Sequence, residues 1–91
     1  MGHRIELGEI EANVNLLEGI DQVGCVYDNI KNKIVLYYVG ALEEKELTLA
    51  LKEKLPRYMI PNSTIRLDKM PMTTNGKIDR VELKNRCQKK K

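Results

Sequence analysis

The sequence contains no tryptophan and no phenylalanine, and its aromatic residues are four tyrosines. That leaves little for stacking nucleic-acid bases, and no nucleic-acid-binding motif is present, so no nucleic-acid partner is expected. A single histidine, His3, accompanies two cysteines, Cys25 and Cys87, which stand far apart without CxxC spacing. Such a set does not make a metal site, and none is expected. The cysteines read as reduced thiols of a cytoplasmic protein, with a Cys25–Cys87 disulfide as the alternative. No apolar run approaches the roughly 18 residues of a membrane span, and no signal-peptide pattern opens the chain. A cytoplasmic location without a membrane partner follows as the expectation.

Ninety-one residues bound the architecture. A domain this small buries roughly two-thirds or less of the surface its unfolded chain exposes, enough for one modest core but not for a deep nucleotide pocket. The net charge of +3 is unevenly placed. Lys84, Arg86, Lys89, Lys90 and Lys91 stand at the end without an acid among them, so residues 1–83 carry −2. The last three lysines, 89–91, read as a solvated basic tail behind a domain spanning 1–88.

Residues 2–6 read as a strand. Leu7, Ile10, Val14 and Leu17 then recur at helical spacing, predicting a helix from Gly8 to Glu18 with Glu9 and Glu11 in its first turn and Gly19 at its end. Val23, Cys25 and Tyr27 alternate as a strand. Across the turn at 28–33 lies Ile34-Val35-Leu36-Tyr37-Tyr38-Val39, apolar on both faces and therefore central, antiparallel to its predecessor because the link is short. A second helix spans Glu43–Leu55, buries Leu47, Ala50, Leu51 and Leu55, and stops at Pro56. Tyr58, Met59 and Ile60 form a turn in which Tyr58 and Met59 are packing residues. Ser63–Asp68 is a third strand, with Ile65 and Leu67 on one face. The order βαββαβα predicts an α+β domain: two layers, with helices packed on a sheet of about three strands.

The final helix carries the strongest local signals. Asp79 is an N-cap, Glu82 occupies the reciprocal capping-box position, and Ile78 and Leu83 fall where a hydrophobic staple forms. Together they fix the preceding polar loop, Met72-Thr73-Thr74-Asn75-Gly76-Lys77, in which Asn75-Gly76 is a turn signal and both residues tolerate positive φ. Arg80 is expected to pair locally near this helix's acidic start. A Walker loop is excluded, because Gly76-Lys77 lacks the preceding glycine and is followed by Ile78.

Three ordered segments resemble signature motifs of the C-terminal domain of the adenylate-forming superfamily, which includes nonribosomal peptide synthetase adenylation domains, acyl-CoA synthetases and luciferases. They are Gly-His-Arg-Ile-Glu-Leu-Gly-Glu-Ile-Glu at 2–11, Leu-Pro-Arg-Tyr-Met-Ile-Pro at 55–61 and Asn-Gly-Lys-Ile-Asp-Arg at 75–80. The first and third are similar to amino-acid-activating enzymes in particular. The resemblance implies ATP, with Mg2+, as the activating substrate and an amino acid or other carboxylate as the group activated. It implies phosphopantetheine on a peptidyl or acyl carrier protein as the thiol acceptor.

By the same resemblance Lys77 is the catalytic lysine of acyl-AMP formation, positioned by Asn75, Gly76, Ile78 and Asp79. Gly2, Arg4 and Glu6 belong to the segment that faces the site during thioester transfer. His3 occupies a variable position of the motif, which argues against catalysis. The family's large N-terminal domain, with its phosphate loop and its adenine and acyl pockets, has no counterpart in these 91 residues. Met1 stands where the family usually has a basic residue, close after the hinge, so the chain reads as cut near the hinge or as a detached domain. This chain alone is expected to be inactive. Two alternatives stand beside it: the C-terminal domain of an acyl-CoA synthetase, and a stand-alone interaction domain.

Overall fold

A computed structural model describes residues 7–88 of the chain. Helix α1 spans Leu7–Asn15 and buries Ile10 and Val14. It stops short of Glu18 because Leu16 and Leu17 donate to carbonyls three residues back, at Asn13 and Val14, tightening the last turn. Strand β1, Ile20–Asp28, extends beyond the alternating Val23–Tyr27 core at both ends. The extra length comes from antiparallel pairing with β2, Lys33–Gly40, which places Ile20 opposite Gly40 and Asp28 opposite Lys33. The buried Asp28 carboxylate closes the connecting turn by accepting the Ile30 and Lys31 N–H groups at 3.0 and 3.1 Å.

Helix α2, Glu44–Lys54, leads through a single 3-10 turn at Arg57–Met59 to β3, Ser63–Arg66. β3 pairs with β2 in parallel, so the helix serves as the crossover that parallel strands require. Asn62 fixes the register by exchanging two 2.8 Å hydrogen bonds with the Ile34 backbone, one through its main chain and one through Oδ1. Helix α3, Arg80–Gln88, closes the described residues. Their order is αββαβα around a mixed sheet ordered β1-β2-β3, an α+β domain as expected. The leading strand expected over residues 2–6 lies outside the described residues, as does the 89–91 tail.

β2 is the central strand, and its two faces feed two cores. Ile34, Leu36 and Tyr38 join Ile10, Val14, Leu47 and Leu51 beneath α1 and α2. Val35 and Tyr37 join Val26, Met70, Leu83 and Cys87 beneath α3. The sheet with its two-helix layer accounts for the larger core, and α3 adds a thinner third layer on the opposite face. The two cysteines are free and sit in different cores, with the sheet between them. At the far end of the β1–β2 pair the backbone packs on backbone. A Cβ on Gly40 would lie 2.1 Å from the Gly19 carbonyl oxygen, which already accepts the Ala41 N–H at 2.8 Å.

Candidate functional site

The loop bearing Lys77 is built from one threonine. The Thr73 N–H donates to the Lys77 carbonyl at 2.7 Å, and its own carbonyl accepts the Gly76 N–H at 3.0 Å. Its Oγ1 accepts the Lys77 N–H at 3.2 Å. Gly76 has φ +83°, the left-handed region a hairpin loop needs to turn back on itself. Asn75 does not share it, so the glycine alone carries the positive φ expected of the pair. An antiparallel bridge between Met72 and Ile78 closes the base, and the Asp79 N–H donates to the Pro71 carbonyl at 2.9 Å. Lys77 is exposed at the tip, and its ammonium makes no hydrogen bond or ion pair with the described residues.

Below the tip the loop is anchored in the second core. Ile78 packs against the cluster containing the fully buried Leu83. Both reach into the space above Gly24 of β1, where a Cβ would lie 2.7 Å from Leu83 Cδ1 and 3.3 Å from Ile78 Cγ2. Gly24 is thus the floor on which the start of α3 rests. The Asp79 cap is formed, with Oδ1 accepting the Glu82 N–H at 3.0 Å. The reciprocal half of the capping box is not. Glu82 instead turns along the helix to Arg86 at 3.1 Å, because the Asp79 N–H it would have accepted is already committed to Pro71.

Arg80 also departs from expectation. It pairs not with its own helix but with Glu11 of α1, 69 residues away in sequence. Nη2 donates to Glu11 Oε1 at 2.8 Å and Nη1 to Oε2, the forked geometry that arginine makes with carboxylates. Glu11 Oε2 also accepts the Cys25 N–H at 2.7 Å. The carboxylate therefore lies at the outer edge of β1, held by the strand on one side and by α3 on the other. Its hydrogen bonds raise the Arg80 guanidinium further above its usual range. Burial, reinforced by the Glu11 charge and opposed by Arg80, pushes the Cys25 thiol up to about 12, so the thiol is inert.

Of the residues expected to act together, Asn75, Gly76, Lys77, Ile78 and Asp79 form this one loop. Gly2, His3, Arg4 and Glu6 lie outside the described residues. In the 55–61 segment Met59 is a core residue as expected, and Tyr58 is 44% exposed. Two participants are given no such role by the sequence, Glu11 and Thr73, which stand there only as a first-turn acid and a loop residue. Glu11 is detectable in principle, because it falls on the same stripe of α1 as Leu7, Ile10 and Val14, where an acid needs a partner. Among the described residues no cluster of metal-ligating side chains occurs and no helix is long and apolar enough to cross a membrane.

Comparison with known proteins gives a consistent result. The family described as AMP-binding enzyme C-terminal domain matches residues 9–77, ending on the loop lysine. Gramicidin S synthase 2 of Brevibacillus brevis is 43% identical over 90 residues, covering 92% of this chain and 2% of that protein. Bacitracin synthase 1 of Bacillus licheniformis is 44% identical over 87 residues, covering 90% and 2%. The chain therefore spans only a few per cent of the length of these relatives. Among solved structures, a four-domain nonribosomal peptide synthetase bound to AMP and glycine superposes with a TM-score of 0.76 at 40% identity, over 88% of this chain and 6% of that one. Klebsiella oxytoca NpsA in complex with 3-hydroxyanthranilyl-AMSN gives 0.83 at 34%, over 96% and 18%. MatB from Rhodopseudomonas palustris shares the fold, with a TM-score of 0.84 at 17% identity over 93% and 18%.

Proposed function

The chain belongs to the AMP-binding enzyme C-terminal domain family, and from that premise we propose that it is the mobile C-terminal domain of an ATP-dependent amino-acid-activating ligase. Residues 1–88 make the domain and 89–91 its basic tail. Lys77 is its catalytic residue. In the first half-reaction a substrate carboxylate oxygen attacks the α-phosphorus of ATP, the bond to pyrophosphate breaks, and acyl-AMP forms. Negative charge builds on the phosphate oxygens, where a preorganised cation lowers the barrier. The observation that carries the reading is the architecture of the loop. It is pinned at its base by the 72–78 bridge and the Asp79 cap, and it presents one ammonium that no described residue neutralises. A lysine serves here as a compact charge on a long stem.

In the second half-reaction the phosphopantetheine thiol of a carrier protein attacks the acyl carbon and AMP leaves. The domain reorients between the steps, withdrawing Lys77 and presenting the segment of Gly2, Arg4 and Glu6. ATP and Mg2+ are held mainly by the N-terminal adenylation domain, the partner this chain docks against. The described residues support that division, since the loop offers one lysine and no enclosing walls. Dependence on ATP and on a carrier protein favours a cytoplasmic enzyme. The acyl-CoA synthetase alternative has less support: bacitracin synthase 1, gramicidin S synthase 2 and the four-domain nonribosomal peptide synthetase align over most of this chain at 44%, 43% and 40% identity, while an acyl-CoA synthetase of Brucella canis shares the fold at 21%.

The test is Lys77→Ala in a full-length enzyme carrying this domain. Pyrophosphate exchange should fall by roughly 10²–10³-fold, the scale for losing one transition-state contact. Thioester formation from supplied acyl-AMP should persist, and a bulky β-branched residue at Gly2 should have the reverse effect. Equal slowing of both steps by Lys77→Ala, or of neither, would refute the assignment.

A further inference from the structure

The Glu11–Arg80 pair is costly to place where it is. Arg80 is the first residue of α3, where the helix dipole disfavours a cation, and it begins the helix three positions after the loop lysine. Glu11 lies on an otherwise apolar stripe of α1, and its side chain is only 13% exposed. Neither residue is explained by its own helix. Each is satisfied by the other, in a forked contact that spans the outer edge of β1 and joins α1 on one face of the sheet to α3 on the other.

The consequence for the loop is mechanical. Ile78 and the Asp79 cap set the depth and direction of the chain at its base, but both act on the face of the sheet that α3 covers. Arg80 adds the only charged tether, among the described residues, between this base and the α1–β1 half of the domain. Glu11 is itself immobilised by the Cys25 N–H at 2.7 Å, so the tether ends on the sheet rather than on a free side chain. We infer that Arg80, held by Glu11, is a positioning residue for Lys77, fixing where the ammonium stands relative to the sheet. This rests on the reading of Lys77 given above.

The experiment combines Arg80→Ala, Arg80→Lys and Lys77→Ala in a full-length enzyme carrying this domain. Arg80→Ala should lower kcat for pyrophosphate exchange by about 10–100-fold with a smaller change in the KM for ATP, the scale of a displaced catalytic group. Arg80→Lys keeps the charge but loses the planar fork, so it should recover only part of the rate. In the Lys77→Ala background, Arg80→Ala should cost no more than about twofold further, because residues acting as one unit are non-additive. An equal loss in both backgrounds, no loss at all, or full recovery by lysine overturns the positioning role. If Arg80→Ala fails to fold, Arg80→Lys carries the same comparison. The two readings fail separately: a normal exchange rate for Lys77→Ala sinks the catalytic assignment and this inference with it. A slow Lys77→Ala beside a normal Arg80→Ala sinks only this one.

Discussion

The contact between α3 and the sheet can be tested by filling and emptying the same space. Gly24→Ala adds a methyl group 2.7 Å from Leu83 Cδ1, so that carbon must move about 1 Å to regain an ordinary contact. Leu83 has no exposed surface and Ile78 Cγ2 lies 3.3 Å from the same methyl position, so room to move is scarce. Overpacking of this kind costs about 1–3 kcal/mol, less a few tenths for the lower chain entropy of alanine. Leu83→Ala alone empties the site and should cost about 2–5 kcal/mol, a large part of the ~5–15 kcal/mol available to a small domain. In the double variant the new methyl group occupies part of the cavity it previously clashed with. The combined loss should therefore fall short of the sum by about 1–2 kcal/mol. Urea denaturation of the four proteins, followed by circular dichroism, measures each term. Strict additivity would show that Leu83 does not lie over Gly24, and with it would go the argument that α3 seats the lysine loop on β1.

Two further outcomes follow from the packing. Gly40→Ala drives a methyl group onto the Gly19 carbonyl, which is backbone and cannot rotate away; a loss of about 3 kcal/mol or more is expected, read as a melting temperature lower by at least ~10 °C. The Cys25 thiol is raised to about 12 when folded from an ordinary 9.0, so it stays protonated between those values while the unfolded chain releases its proton. Its contribution is therefore intact below pH 9 and declines as pH rises towards 12; Cys25→Ala should flatten the alkaline slope of stability by up to about 1.4 kcal/mol per pH unit, and an unchanged slope would contradict the burial argument.

Legibility in the sequence divides along the range of the interactions. β2 is readable as central because its residues are apolar on both faces, and the structure fills both. The Asp79 cap is readable because cap and helix lie within four residues. Arg80 is misassigned to a local partner because nothing in a short window points to an acid 69 residues earlier. The failed half of the capping box has the same origin, since a backbone bond to Pro71 takes the donor. Gly24 looks like one more small residue in an alternating strand. Its role emerges only when the side chains descending on it from α3 are in view. The lysine loop is recognisable through its resemblance to a family motif, and locally it is an ordinary polar turn.

Both outer strands of the sheet show a further effect of the helix glutamates. On β1 the outward Cys25 N–H is taken by Glu11, and on β3 the outward Arg66 N–H is taken by Glu44 of α2 at 2.8 Å. An unpaired strand edge is a template on which another chain can add a strand. Here each edge has one of its donors covered by a carboxylate, which repels an incoming carbonyl and leaves the ladder broken at that point. Replacing either glutamate by alanine would bare a backbone donor on a sheet that has three strands among the described residues. The first sign of that loss should be stronger self-association than the parent chain shows at the same concentration.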